Sequence, residues 1–410
     1  MDLLLKNLKN QLIENNIVIS GSKSESNRLL ILQQLFPEVA IHNLSDSDDA
    51  VHMQHALAGE GKVADIGHAG TAMRFLTAFF AVQEGKTKVL QGSDRMHNRP
   101  IKILVDALRD LGAEISYLEK DGYPPIEIKG QKLTKDKVAI NGNVSSQYIS
   151  ALLLIAPSLP NGLEVTLVGK VTSVPYIKMT LSLLSQLGIE SSFEENIITI
   201  KPTASLNEKA LTVEADWSSA SYFYSLAALS EVGSEITLSS YKKESLQGDS
   251  CLADIYQHFG VATTFTENTI VLKKTKVHNT ETLVLDLKNA PDIAQTIAVT
   301  CFASGIGCDL EGLHTLKIKE TDRLEALKEE LTKLGATIEV TNESLHLKAS
   351  NEIKDSVSIE TYNDHRMAMA FAPLALRTNL IILDAEVVTK SYQKFWNDME
   401  VIGIQQEVLK

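Results

Sequence analysis

Seven short stretches of this chain hold more charge and hydroxyl chemistry than a helix start needs. In GSKSESNRLLILQQLF, Ser22 followed three positions later by Glu25 has the form of a capping box. That puts Lys23 and Ser24 in a first helical turn and Arg28 one turn on. A capped surface helix accounts for the serines, but the helix dipole favours acids, not Lys and Arg, at that end. The pattern recurs. GHAGTAMR opens a helix at Gly70 and Thr71 with Arg74 one turn further, and SSQY begins another at Ser145, Ser146 and Gln147. NAPDIAQT sets Asp292 beside Pro291, a residue suited to the first helical position. KIKETDRL reads as a first turn holding Lys319, Glu320 and Arg323, YNDHRMAM does the same with Asp364, His365 and Arg366, and VTKSYQKFW adds Lys390. Helix amino ends carry unpaired N–H groups and attract anions. Arg adds bidentate contacts to carboxylate and phosphate, and Lys a movable point charge. The chemistry indicated is recognition of a small molecule with several negative groups. Two acids stand within this cationic set: Asp292 and Glu320, which their neighbours would hold ionised. Either they balance nearby charge, or they move protons, and a paired acid and base is what addition to a double bond requires.

The elements that must position these groups show an internal repeat. Five helical segments end alike on a glycine followed by a short alternating stretch that reads as a strand. The stop glycines, Gly112, Gly188, Gly260, Gly335 and Gly403, stand 68 to 76 residues apart. A sixth, shortened copy sits near Gly59 and Gly61. A period this long exceeds that of solenoid repeats and leaves room for two helices and about four strands per unit. Six units suit two similar α/β domains of three units each. The chain then crosses between domains just before GSKSESNR and again near VEADWSS, giving one domain at 20–215 and a second built from 1–19 with 216–410. Within the first of the seven helices, Leu29, Leu32 and Phe36 predict a single buried stripe.

At 410 residues, with 44% hydrophobic and 22% charged residues, the chain has the composition of a globular protein of two or three domains. No long apolar run predicts a membrane span, and MDLLLKNLKNQLIENN is too polar for a signal peptide, so a cytoplasmic protein is expected. A net charge of −13 argues against nucleic acid as partner and requires any cations that bind an anion to be gathered locally. Cys251, Cys301 and Cys308 have no metal-ligand spacing and read as free thiols. Neither a P-loop nor a dinucleotide fingerprint occurs.

Taken together and in order, GSKSESNR, GHAGTAMR, DRMHNRP, SSQY, SVPYI, DWSSASYF, QGD, APDIAQT, KIKETDRL and YNDHRMAM resemble the 3-phosphoshikimate 1-carboxyvinyltransferase family, from about residue 17 to 395. The resemblance implies a two-domain inverted α/β barrel of six βαβαββ repeats, three per domain, with the first repeat shortened and the active cleft between the domains. It implies transfer of the enolpyruvyl group of phosphoenolpyruvate to the 5-hydroxyl of shikimate 3-phosphate, in the shikimate pathway to chorismate and the aromatic amino acids. No metal or organic cofactor is implied, and a monomer is expected. By the matched motifs, Lys23 touches both substrates, and Ser24, Arg28, Ser145, Ser146, Ser173 and Tyr176 hold shikimate 3-phosphate, with Thr315 and Lys319 as further contacts. Gln147 reaches both substrates, and Gly70, Arg95, Arg323, Arg366 and Lys390 grip phosphoenolpyruvate. Asp292 is implied as the base for the 5-hydroxyl, and Glu320 with Lys23 as the acid/base pair for the methylene carbon. Which of that pair delivers which proton is open at this stage, as is whether Lys23 only binds.

Four positions depart from the family pattern: His68 for Asn, Phe75 for Pro, Val174 for Lys and Thr315 for Asn. The stretch 56–66 is also about two dozen residues short, so the first repeat is expected to lack a hairpin. Glyphosate occupies the phosphoenolpyruvate site in this family, so inhibition is expected, with Gly70 leaving room and His68 and Phe75 bordering the site. Two alternatives remain. The related transferase acting on UDP-N-acetylglucosamine uses a cysteine in the loop that here reads GSDRMHNRP, and this chain has no cysteine before Cys251. A catalytically silent anion-binding protein on the same scaffold predicts damage to the acid/base positions, whereas Asp292, Glu320 and Lys390 are all present.

Overall fold

The computed structural model describes residues 1–7, 12–143, 145–171, 174–207 and 209–409. Six small sheets account for its strands, five of four strands and one of two. Every four-stranded sheet has one pairing order, a parallel pair followed by two successive antiparallel pairings. In three of them the chain is continuous, with the parallel strands joined through a helix and the sheet finished by a hairpin, and the other two each take one strand from the amino-terminal segment. In one, Val63–Asp65 lies parallel to Thr87–Gln91, which pairs antiparallel with Ile126–Lys129, which pairs with Glu114–Tyr117. The connecting helices are Gly70–Ala81 and Lys102–Leu111, so the unit reads βαβαββ. The two-stranded sheet, Val39–His42 against Lys209–Thr212, is the same plan without its hairpin, as the missing residues near 56–66 predict.

The five stop glycines all have positive φ, between 74° and 109°. This is the left-handed conformation that ends a helix and turns the chain into the next strand. In the shortened unit, helix Asp48–Ala58 ends instead on Gly59 at φ −70°, an extended exit with no hairpin to feed.

By contact density the chain divides into two compact units, Gly21–Val213 and Met1–Ser20 with Glu214–Lys410. In the second, both amino-terminal strands are used. Leu3–Leu5 pairs antiparallel with Leu380–Ile382, and Glu14–Ile17 lies parallel to Glu235–Ser239.

The core of each unit is made of helices buried on every side. All thirteen residues of Trp217–Leu229 and all ten of Ala294–Ala303 are buried, as are eleven of the twelve in Gly70–Ala81. Strands around them alternate fully buried and more accessible residues, as in Leu163–Val168. A helix apolar all round has to sit inside, so the helices are within and the sheets outside. For this reason helix Lys23–Leu35 does not show the expected single stripe: Glu25 through Leu32 are all buried. No helix among the described residues is long and apolar enough to cross a membrane.

Candidate active site

In the unit Gly21–Val213, the amino ends of three inner helices carry the predicted groups. Ser22 caps helix Lys23–Leu35, its hydroxyl accepting from Glu25 N at 3.2 Å. Lys23 Nζ lies 4.0 Å from Asp49 Oδ1. Arg28 is 2% exposed, and its guanidinium donates to Thr180 Oγ1 (2.8 Å), Ser24 O (2.7 Å), Ser150 Oγ (3.0 Å) and Tyr176 O (3.5 Å). All four acceptors are uncharged. Burial accordingly pushes its pKa down to about 10, against smaller opposing effects of Tyr176 and Glu25. A desolvated cation whose hydrogen bonds run to neutral oxygens is poised for an anion.

Ser145 caps helix Ser146–Ile155, and Gln147 Nε2 donates to Thr71 Oγ1 at 3.2 Å, joining this start to the start of Gly70–Ala81. Arg74 Nη1 donates to Gly70 O at 2.8 Å, while its Nε is buried without a partner among the described residues. Tyr176 is half exposed at the start of helix Val174–Gln186, and Ser173 lies outside the described residues.

Arg99, absent from the predicted set, stands closer to Gly70 than expected of a loop residue. A Cβ built on Gly70 would lie 2.5 Å from Arg99 Nη1 and 2.9 Å from Arg74 Nη1. The next carbonyl, Pro100 O, accepts from Tyr148 Oη (2.6 Å) and Arg74 Nη2 (3.4 Å), which ties Arg99 to both helix starts. Arg95 sits in the short helix Asp94–His97 and is exposed. DRMHNRP offers both arginines, and only the proline, which holds the residue before it extended, marked Arg99 as different. The Phe75 ring centroid is 5.3 Å from the Arg28 guanidinium, so it packs against Arg28 directly. His68 meets His52 edge-on at 5.9 Å.

In the other unit an ion cluster forms where helices Ala294–Ala303, Arg323–Leu334 and His365–Phe371 begin. Asp292, in the 3-10 turn Pro291–Ile293, accepts from Arg323 Nη1 (2.9 Å) and Arg366 Nη2 (3.2 Å), with Lys319 Nζ at 3.3 Å. Arg323, 1% exposed, also donates to Glu320 Oε2 (2.7 Å) and Asp364 Oδ2 (2.6 Å). Burial opposes the charge on Asp292, but Arg366, Lys319 and Arg323 outweigh it and hold the carboxyl well below the usual range. Asp249 behaves oppositely. Burial, then repulsion from Asp292, pushes its carboxyl up to about 7.

Two local expectations need correction here. Lys319 and Glu320 are not on the helix: Asp322 takes the cap, accepting from Leu324 N and Glu325 N, so the helix starts at Arg323. Lys390 ends the 3-10 run Ala385–Lys390, with the next helix starting only at Phe395; its Nζ donates to Asn363 O at 2.6 Å. Thr315 Oγ1 is enclosed and has no partner among the described residues, so its hydroxyl has no fixed protein acceptor. The cluster is also less positive than the sequence suggests, because Asp292, Glu320 and Asp364 all converge on Arg323.

A model of the EPSP synthase (3-phosphoshikimate 1-carboxyvinyltransferase) family matches residues 54–399. The chain belongs to this family. A 3-phosphoshikimate 1-carboxyvinyltransferase of Bacteroides fragilis (strain YCH46) is 44% identical over 395 residues, covering 95% of this chain and 96% of that protein. One from Haemophilus influenzae (strain PittEE) is 36% identical over 428 residues, covering 96% and 97%. A solved EPSP synthase from Acinetobacter baumannii has the same fold, with a TM-score of 0.85 at 21% identity over 100% of both chains. The EPSP synthase relationship agrees with the five complete βαβαββ units and the shortened sixth.

Proposed function

We propose that this chain transfers the enolpyruvyl group of phosphoenolpyruvate to the 5-hydroxyl of shikimate 3-phosphate and releases inorganic phosphate. The observation that carries the reading is Asp292, an ionised carboxylate fixed among Lys319, Arg323 and Arg366 at the start of a buried helix. Protonation of the methylene carbon makes the adjacent carbon electrophilic. The 5-hydroxyl oxygen bonds to that carbon as its proton passes to Asp292. Loss of a methyl proton and of phosphate from the tetrahedral adduct restores the double bond.

Before substrate arrives, the cations surrounding Asp292 make it a weak base. A triply charged phosphoenolpyruvate on Arg323, Arg366 and Lys390 takes up that positive charge and raises the carboxylate's basicity at the step that needs it. Glu320 and Lys23 serve the methylene carbon. Lys23 and Gln147 touch both substrates; Ser24, Arg28, Ser145, Ser146, Ser173, Tyr176 and Lys319 hold shikimate 3-phosphate, with Arg28 supplying the buried charge. Gly70 completes the phosphoenolpyruvate site. Beside it we assign Arg99 in place of Arg95, on its proximity to Gly70.

The test is phosphate release from phosphoenolpyruvate, expected only when shikimate 3-phosphate is present. Release with UDP-N-acetylglucosamine, or none with either acceptor, overturns the reading. For the arginine assignment, Arg99→Ala should raise KM for phosphoenolpyruvate by tenfold or more, on the order of one lost charged contact, and Arg95→Ala by much less. The reverse order restores Arg95.

A further inference from the structure

Tyr362 and Asn363, which lead into Asp364 and Arg366, both have positive φ, 53° and 55°. Asp364 N donates to Thr361 O at 2.8 Å, closing a four-residue turn around them. Two central residues with positive φ are the mark of a type I′ turn. Asn enters that region readily, whereas a bulky residue such as Tyr is an outlier there and is held only by its surroundings.

The surroundings are specific. The Tyr362 hydroxyl is 2.6 Å from Glu329 Oε2 and 2.6 Å from Glu330 Oε1, both on helix Arg323–Leu334. Glu330 is itself buried and fixed, with Lys333 Nζ at 2.8 and 2.9 Å from its two oxygens and Glu360 N donating at 3.2 Å. The Tyr362 ring packs on the core of the unit.

The same helix begins with Arg323, so it carries one member of the ion cluster at its start and, through Tyr362, anchors the turn that carries two others. Asp364 leaves the turn to bind Arg323 and to cap helix His365–Phe371, accepting from Arg366 N at 2.8 Å. Lys390 Nζ grips the turn from outside at Asn363 O, 2.6 Å.

We infer that Tyr362 is a positioning residue: its phenol, held by Glu329 and Glu330, locks the left-handed turn that aims Arg366 and Lys390 at phosphoenolpyruvate and keeps Asp364 on Arg323. The inference rests on the proposed roles of Arg366 and Lys390. Tyr362 touches no substrate in this account and acts only through the turn.

The experiment is Tyr362→Phe, which keeps the ring and removes the anchor, with KM measured for each substrate and a thermal melt. KM for phosphoenolpyruvate should rise about tenfold or more, the order expected for lost hydrogen bonds to charged groups, with KM for shikimate 3-phosphate within about twofold of the parent. A lower melting temperature with both KM values unchanged would mean a merely structural role and overturn the inference. If Tyr362→Phe does not fold, Glu329→Ala, which removes the exposed acceptor, should still raise KM for phosphoenolpyruvate by about threefold; an unchanged value overturns the inference equally. A parent chain that releases no phosphate with either acceptor would overturn the proposed function and this inference with it, an outcome distinct from a silent Tyr362→Phe effect in an active enzyme.

Discussion

Asp292→Asn separates a base from a binding group. The carboxylate lies 2.9 Å from Arg323, 3.2 Å from Arg366 and 3.3 Å from Lys319, and the amide keeps its shape while losing both charge and basicity. A positioned general base contributes ~10²–10⁴ in rate, so kcat should fall by about that factor. KM for phosphoenolpyruvate should not rise with it. In the free protein Asp292 competes with any arriving anion for the cations, and its most exposed pair, with Lys319, is worth at most about 1 kcal/mol, so freeing that cation alone should lower KM by up to a few fold. Stability moves in the opposite direction. The native pKa of Asp292 lies well below its unfolded value of about 3.9, so its ion pairs stabilise the fold above about pH 4, and this contribution disappears as pH falls through the native pKa. The variant should therefore melt below the parent at pH 7, with the gap closing in acid. Steady-state phosphate release with each substrate varied, and melts at both pH values, provide the measurements. A kcat within tenfold of the parent, or a large rise in KM at unchanged kcat, would refute the assignment of Asp292 as base.

Three further expectations follow from the geometry. In Gly70→Ala the new methyl would intrude at 2.5 Å on Arg99 and 2.9 Å on Arg74, so KM for phosphoenolpyruvate should rise and glyphosate inhibition weaken; an inhibition constant equal to the parent's contradicts this packing. Arg28→Met removes a buried charge whose pKa is already down at about 10, so KM for shikimate 3-phosphate should rise by roughly 10²-fold for a lost charge-assisted contact. The melting temperature should fall by no more than a few degrees, because the fold was carrying an unneutralised cation; an unchanged KM argues against Arg28 as the phosphate anchor. Asp249 has a native pKa raised to about 7, above its unfolded value, so its ionisation costs stability as pH rises from about 4 to 7. Asp249→Asn should therefore gain on the parent in melting temperature across that range, and parallel curves would show that Asp249 ionises without cost.

Much of the scaffold is written locally. The stop glycines, the serine and aspartate caps and the early proline act over three or four residues, so Gly112, Gly335, Ser22, Ser145 and Pro291 could be read as helix boundaries directly from the chain. Their spacing exposed six repeated units and the loss of a hairpin from one of them. Where local signals compete, reading is less secure: in KIKETDRL the choice between Lys319 and Arg323 as helix start turned on Asp322, the better cap.

The sequence by itself determined that cations and a few acids gather near the helix starts, though not that Lys319, Glu320 and Lys390 lie outside the α-helices themselves. Only the tertiary structure decided which of those cations are neutralised. Arg323 meets Asp364 across 41 positions and Arg366 meets Asp292 across 74, while Arg28 reaches Thr180 and Ser150 across 152 and 122 and forms no ion pair among the described residues. Pairing at such separations is set by how buried helices pack side by side, and burial then fixes its consequences, since a low-dielectric interior strengthens a matched pair and penalises an unmatched charge. The same packing brought Arg99 to Gly70.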